Sequence, residues 1–63
     1  MIELTKINDT KITVNAEIIE TIEETPNTVV TLTTGKKLIV QETRGEVADL
    51  VIAYKRTIYS QDL

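Results

Sequence analysis

Carboxylates and lysines are the candidates for acid–base chemistry in this 63-residue chain, because histidine and cysteine are both absent. General acid–base catalysis needs such a group held in a cleft that tunes its pKa. The densest carboxylates are Glu17, Glu20, Glu23 and Glu24. The alternation of residues around them directs them toward solvent, so we interpret them as a solvated acidic face rather than a catalytic pair.

Sites for metals, phosphates and small molecules also have little support in the sequence. The usual zinc ligands are missing, and no acidic loop pattern indicates a calcium or magnesium site. Gly35 and Gly45 are the two glycines, and their spacing does not suit a phosphate-binding loop. A domain this small also leaves little room for a pocket of ~300 Å³ or more. We therefore expect a non-enzymatic protein with no cofactor and no metal.

Length and charge favour a protein that works by contact. Residues 1–63 are expected to form one domain, which buries only about 60% of its unfolded surface. No disulfide can form and no metal site is indicated that would reinforce so small a core, which makes a homo-oligomer the expected state. The formal net charge is −3, whereas a nucleic-acid binder needs a positive footprint. We therefore expect no nucleic-acid partner.

The start of the chain and its hydropathy bear on location. Met1 to Lys6 contains no basic segment followed by an apolar run, so no signal peptide is expected. No apolar stretch approaches the ~20 residues that span a bilayer, so direct membrane insertion is not expected. Together these features predict a cytoplasmic protein.

Alternation of apolar and polar residues, with eleven threonines, indicates β-strands. The predicted strands cover residues 2–7, 11–14, 18–23, 28–33 and 36–42. The first two form a hairpin around Asn8-Asp9, since both residues tolerate left-handed backbone. Asn15 can cap a single helical turn before the third strand. Pro26 fixes the turn after that strand. The first hairpin is expected to place four side chains inward: Ile2, Leu4, Ile12 and Val14.

Gly35 decides the register of the second hairpin. A plain two-residue turn at Thr34-Gly35 would scatter the apolar residues over both faces of the sheet. A type I turn with Gly35 in a left-handed bulge gathers them on one face. That core face carries Val30, Leu32, Leu38 and Val40. The bulged register, which we predict, leaves Val29 opposite Ile39 on the outer face, either as an isolated pair or as a contact surface for a second copy or a partner.

A helix is predicted over residues 44–59, after a capping box formed by Thr43 and Glu46. Five apolar residues recur at helical spacing and are expected to pack across the sheet: Val47, Leu50, Val51, Tyr54 and Ile58. Ser60 to Leu63 are expected to fray. The fold class is therefore α+β, with a small antiparallel sheet of about four to five strands in two hairpins and a C-terminal helix packed on it.

Three segments resemble the FlbD-type family of small flagellar proteins. The opening MIELTKIN is similar to the family pattern M-I-x-L-T-R-L-N-G. Residues 14–28, VNAEIIETIEETPNT, resemble the hallmark L-N-x-x-x-I-E-x-I-E-x-x-P-D-T, and residues 31–37 resemble T-L-T-N-G-K-K. The resemblance covers roughly residues 1 to 58. Asp9 and Thr34 depart from the family's usual Gly and Asn, and Arg44-Gly45 stand where acidic residues are often found.

The resemblance implies a non-enzymatic cytoplasmic protein that supports swarming motility. In the SwrD branch of the family, the implied action is to raise the power of the flagellar motor through its stator. Implied partners are flagellar motor or stator proteins, and a position beside the motor at the membrane is left open. Two alternatives from other classes remain: a small nucleic-acid-binding regulator of flagellar genes, and a structural assembly subunit.

No binding residue is transferred from the family, so the contact residues are chosen from the surface features of this chain. The selected protein-contact residues are Glu20, Glu23, Glu24, Val29 and Ile39. Four further residues are interpreted as structural, at turns and caps: Asn15, Pro26, Gly35 and Thr43.

Overall fold

The computed structural model describes residues 1–59, and the chain begins with a β-hairpin. Strand β1 (Ile2–Thr5) pairs antiparallel with β2 (Lys11–Val14). In the connecting turn Asp9 has a φ of 70°, in the left-handed region. The Asn8 Oδ1 atom accepts a hydrogen bond from the Thr10 N–H at 3.1 Å. Asparagine and aspartate support such a turn because they tolerate this backbone and bond to it locally.

A single 3₁₀ turn, Ala16–Ile18, leads from the hairpin to a second sheet. The Asn15 Oδ1 atom accepts a hydrogen bond from the Glu17 N–H at 3.0 Å, which satisfies an amide at the start of this turn. Strands β3 (Ile19–Glu24), β4 (Thr28–Leu32) and β5 (Lys37–Val40) then form an antiparallel sheet in the order β3-β4-β5.

The β4–β5 hairpin has the bulged register that the sequence predicts. Gly35 has a φ of 92° and donates its N–H to the Leu32 carbonyl at 2.8 Å. The Leu32 N–H donates in turn to the Lys36 carbonyl at 2.8 Å. Residues Thr28 to Thr31 consequently lie opposite Val40 to Lys37. Apolar side chains of both strands therefore share one face, because directly opposite residues point to the same side of a sheet.

The two sheets are joined where β1 and β5 end. Lys6 forms an isolated antiparallel bridge with Val40. The Gln41 N–H donates to the Thr5 carbonyl at 2.7 Å. The Thr5 N–H donates to both carboxylate oxygens of Glu42, at 2.9 and 3.0 Å. The first hairpin is therefore held against the second sheet by hydrogen bonds to the segment that follows β5.

The capping box begins helix α1 (Arg44–Tyr59) as the sequence predicts. The Glu46 N–H donates to the Thr43 Oγ1 atom at 3.1 Å, and the Thr43 N–H donates to Glu46 Oε1 at 2.8 Å. These bonds satisfy amides that have no partner within the helix. The helix contacts β1 and β3, so it lies over both sheets.

The core combines residues of both sheets, the 3₁₀ turn and one helical position. Its buried apolar residues are Ile2, Leu4, Val14, Ala16, Val30, Leu32, Leu38, Val40 and Val47. Val51 and Tyr54 are half-buried and pack against this cluster. Leu50 and Ile58 are exposed, at 37% and 38%, so the prediction that the whole helical stripe packs on the sheet is wrong for these two.

The sheets are too small to cover the whole helical stripe. A helix of 16 residues is about 24 Å long. Strands of four to six residues reach only about 13–20 Å. Ile58 therefore lies toward the far end of the helix, past the reach of the strands, whereas Leu50 is 37% exposed near the middle of the helix.

The α+β fold class is confirmed: residues 1–59 form five strands followed by one helix. The strands form a two-stranded and a three-stranded sheet. β1 and β5 are shorter than the predicted ranges 2–7 and 36–42, because the residues after each strand turn away to join the two sheets. The predicted frayed tail, residues 60–63, lies outside the described residues.

Candidate protein-contact surfaces

Strand β3 is an acidic edge of the three-stranded sheet. It pairs with β4, and no other strand within residues 1–59 pairs with its second side. Glu23 lies opposite Val29 on the outer face, whereas Ile22 lies opposite the buried Val30. Glu20 lies in the bulge between Ile19 and Thr21 and is exposed. The edge therefore presents the carboxylates of Glu20 and Glu23 to solvent.

Glu24 differs from the other two glutamates because it joins β3 to the helix. It lies opposite the buried Thr28, and its Oε1 atom accepts a hydrogen bond from the Arg44 N–H at 2.9 Å. A carboxylate at this position stabilises the helix, since first-turn amides lack intrahelical partners and carry partial positive charge. The sequence gives no local signal for this bond, which links residues 20 positions apart.

Val29 and Ile39 lie opposite each other on the outer face, and Ile7 lies beside them. The Ile7 N–H donates to the Ile39 carbonyl at 3.2 Å. Ile39 is 48% exposed and Ile7 is 52% exposed, whereas Val29 is half-buried. These three residues are called the outer apolar patch below. Sequence reasoning missed Ile7, because only the junction between the two sheets brings it to Ile39.

Lysines surround part of the outer apolar patch. Ile7 and Ile39 line a shallow hollow of about 380 Å³ together with Lys6, Lys36 and Lys37. The outer face therefore carries positive charge near β5 and negative charge on β3. Such separation is compatible with a partner whose own charges are arranged in the opposite sense.

An open groove of about 500 Å³ lies between β3 and α1, and it is called the β3–α1 groove below. Its apolar lining includes Ile19 and Ile22 from β3 and Val51 and Ile52 from α1. This groove corrects the expectation that so small a domain leaves little room for a pocket of ~300 Å³. It forms because α1 crosses from β1 to β3 and leaves space beside the edge strand.

The charged residues of the groove lie on its two sides. Glu20 contributes from β3, and Arg44 and Lys55 contribute from α1. Gly45 and Ala48, two small residues of the helix, complete the α1 wall. An apolar floor between charged margins is the usual composition of a surface that binds another protein.

Glu42 has a lowered pKa. Burial alone would raise it, but the hydrogen bonds from Thr5 and the positive charge of Lys11 outweigh burial and hold the pKa of the Glu42 carboxyl below its ordinary value. Both of its oxygens accept from the Thr5 N–H. The Glu42 carboxylate therefore stabilises the junction between the sheets and is poorly placed for acid–base chemistry.

Gln41 fixes the turn of the first hairpin to the same junction. Its Nε2 atom donates to Asp9 Oδ1 at 2.6 Å and to the Lys6 carbonyl at 3.1 Å. Asp9 is the residue with left-handed backbone in that turn. The junction thereby positions Ile7, which lies between the two groups that Gln41 contacts.

The four residues selected as turn or cap residues lie where the chain changes direction: Asn15, Pro26, Gly35 and Thr43. Pro26 follows a cis peptide bond in the β3–β4 turn. In that turn the Thr25 N–H donates to the Asn27 carbonyl at 3.2 Å. None of the four lines the β3–α1 groove within the described part of the chain.

Two further properties concern metals and membranes. Within residues 1–59, no three carboxylates come close enough together to hold a metal ion. Over the same range, the helix lacks the length and the apolar character needed to cross a bilayer.

Comparison with known proteins identifies the family of this chain. No curated protein and no solved structure matches the chain. The family model FlbD, described as flagellar and swarming motility proteins, matches residues 1–59. The acidic edge, the outer apolar patch and the β3–α1 groove all lie within that match. The chain therefore belongs to the FlbD family of flagellar and swarming motility proteins.

Proposed function

We propose that this chain is a non-enzymatic accessory protein that supports swarming motility through contact with proteins of the flagellar motor. Its family membership supports the flagellar role. The structural observation that carries the proposal is the apolar surface left outside the core. Ile7, Ile39 and Ile52 are each about half exposed. Ile7 and Ile39 are neighbours in the outer apolar patch, and contiguous exposed apolar side chains are typical of surfaces that meet a partner.

The proposed target is the stator, and the proposed effect is a gain in motor power. Contact with the stator would let a small protein change motor force without any chemistry of its own. The proposed location is the cytoplasm, with a peripheral position at the motor beside the membrane. Self-association is part of the proposal, because only nine apolar residues are buried in the described part of the chain and no disulfide reinforces the core.

The chemistry of the described surfaces supports binding over catalysis. Glu42, whose carboxyl pKa is lowered, accepts hydrogen bonds from the Thr5 N–H at the junction of the sheets. The charged residues of the β3–α1 groove lie on opposite sides of an open surface, where water is not excluded. Efficient acid–base catalysis needs a tuned group in a sheltered cleft.

Torque measurement in a host that swarms tests the proposal. Deletion of the gene is expected to impair swarming and to lower the torque of tethered cells, and the wild-type gene is expected to restore both. Unchanged swarming after deletion would contradict the flagellar role. Impaired swarming with unchanged torque would contradict the stator mechanism alone.

One observation favours a second candidate, a nucleic-acid-binding regulator of flagellar genes. Lys6, Lys36 and Lys37 lie around a single hollow on the outer face. The net charge of −3 opposes this candidate, because binding to phosphates depends on release of counterions by positive charge. A salt titration with duplex DNA and with RNA separates the two: affinity that falls steeply with salt would favour the regulator, and no binding at low salt would eliminate it.

A further inference from the structure

We infer that the free edge of β3 and the β3–α1 groove bind an extended segment of a partner protein that alternates apolar residues with lysine or arginine. The segment would add to the sheet as a new strand beside β3. This inference rests on the proposed function, because it specifies the chemistry of the partner that a contact protein would recognise.

The first step concerns the backbone of β3. The strand has six residues and pairs with β4 alone among the described strands. An edge strand presents unpaired N–H and C=O groups, which can pair with an added strand. The bulge at Glu20 interrupts one end, so the regular part of the edge is Thr21 to Glu24. Bulges and charges prevent an edge strand from pairing with arbitrary strands of other proteins. A partner that pairs with this edge must therefore match its charges.

The second step concerns the groove beside that edge. Side chains of a strand point alternately to its two faces. Every second side chain of an added strand would therefore enter the β3–α1 groove. There it would meet Ile22 from β3 and Ile52 from α1, which is 49% exposed. Apolar residues in the partner segment would cover these side chains.

The third step concerns Gly45, which nothing within the described molecule requires to be glycine. Gly45 belongs to α1, and its φ is not in the left-handed region. A Cβ atom added there would meet only the Thr43 Oγ1 atom, at 4.0 Å. Glycine nevertheless destabilises a helix relative to alanine. Gly45 lines the groove, so its missing side chain opens the α1 wall to a closely approaching backbone.

The fourth step concerns charge. Glu20 and Glu23 are exposed on the edge, and Glu23 points to the outer face. Opposite charges on neighbouring strands attract, whereas like charges repel. Lysine or arginine on the outer face of the partner segment would therefore lie beside Glu23, whereas Glu20 lies in the bulge and lines the β3 side of the groove. Two basic residues, Arg44 and Lys55, and one acidic residue, Glu20, line the groove, so this charge balance disfavours basic residues on the side of the segment that enters it.

The same charges select a different protein over a second copy. If two copies paired through β3, the glutamates of one edge would face those of the other. Glu20 and Glu23 would then repel their counterparts across the new strand pair. A partner strand with basic residues meets no such repulsion, and electrostatic complementarity of this kind sets specificity.

Peptide binding to the full chain tests the inference. The probe is a capped peptide, Lys-Val-Lys-Val-Lys-Val, and its control is Glu-Val-Glu-Val-Glu-Val. In an NMR titration we expect the basic peptide to shift the amide signals of residues 19–24 together with those of Gly45, Ala48 and Ile52. The inference would be overturned by any of three results: equal shifts of the amide signals with both peptides, shifts centred on the outer apolar patch, or no shifts.

Two variants of α1 sharpen the test. Gly45→Val adds three carbon atoms and fills the groove, whereas Ala53→Val adds two carbon atoms at an exposed position that does not line it. We expect Gly45→Val to lower the affinity of the protein for the basic peptide by roughly tenfold, because the added side chain would overpack the contact. Ala53→Val is expected to bind like the wild type. Circular dichroism of both variants separates loss of binding from loss of folding. Gly45→Ala serves as a milder change at the same position, and it favours the helix.

Swarming assays distinguish failure of this inference from failure of the proposed function. Normal swarming of the deletion strain would contradict the function itself. Impaired swarming of the deletion strain, with normal swarming of a folded Gly45→Val strain, would contradict only the groove. A doubled solution mass by light scattering that Gly45→Val abolishes would show that the groove binds a second copy and would overturn the choice of a different protein.

Discussion

Glu24 and Arg44 are far apart in the sequence, yet the Glu24 Oε1 atom accepts a hydrogen bond from the Arg44 backbone N–H at 2.9 Å. This bond joins the end of the acidic edge strand to the first residue of the helix. It thereby sets how close the two walls of the β3–α1 groove lie at one end. A residue selected for contact is therefore also a structural residue.

Replacement of Glu24 tests this dual role. Glu24→Ala removes the acceptor and should lower the free energy of unfolding by about 1 kcal/mol, as loss of a helix-capping group does. Glu24→Gln keeps an acceptor oxygen and loses only the charge of the carboxylate. Its free energy of unfolding should therefore fall by less than that of Glu24→Ala. Urea denaturation of the three proteins measures both effects. Equal stability of Glu24→Ala and the wild type would show that the bond contributes nothing.

The two glycines should respond to alanine in opposite directions. Gly45→Ala should raise the free energy of unfolding by about 0.5–1 kcal/mol, because Gly45 has helical backbone and open space around it. Gly35→Ala should lower it by about 1–2 kcal/mol, because the φ of 92° at Gly35 is strained for a residue with a Cβ atom. Thermal or urea unfolding provides the comparison. A destabilised Gly45→Ala protein would contradict the claim that the free chain has no need of glycine there.

Glu42 should make stability depend on pH. The pKa of the Glu42 carboxyl is lowered in the folded state from its ordinary value of 4.5. Its contribution is therefore fully present above that value and is lost as the pH falls through the lower folded pKa. Glu42→Gln removes this contribution, so the stability difference between wild type and variant should be largest near neutral pH and shrink on acidification. A difference that stays constant with pH would contradict the assignment to Glu42.

The outer apolar patch should matter for motility more than for folding. Ile39→Thr changes a side chain that is 48% exposed, so the free energy of unfolding should change by only about 0.5 kcal/mol. Swarming should nevertheless fall if the patch meets a partner. Ile58→Thr makes the same chemical change at an exposed helix position outside the patch. Normal swarming of a folded Ile39→Thr strain would remove the patch from the proposed contact surfaces.

The sequence was sufficient for the features that depend on neighbouring residues. Alternation predicted the strands, Gly35 predicted the bulged register, and the Thr43 and Glu46 pair predicted the helix start. Each of these follows from the local pattern of side chains and the backbone that they allow. The outer pairing of Val29 with Ile39 followed directly from the register.

Features that depend on long-range contact could not be predicted from the sequence in the same way. The helical period of Leu50 and Ile58 matched that of Val47, but the limited area of the sheets left them exposed. Ile7 joined the outer patch only through the junction between the sheets. The groove beside β3 depends on the direction in which α1 crosses the sheets, and periodicity does not specify a crossing direction.

The torque of tethered cells tests most directly the claim that this protein acts by contact through its exterior. The decisive strain lacks the chromosomal gene and expresses a folded double variant, Glu20→Lys with Glu23→Lys, in which both changes lie on the exposed edge of β3. We expect the wild-type gene to restore torque and the double variant to fail to restore it. Full restoration of torque by the double variant would contradict the claim.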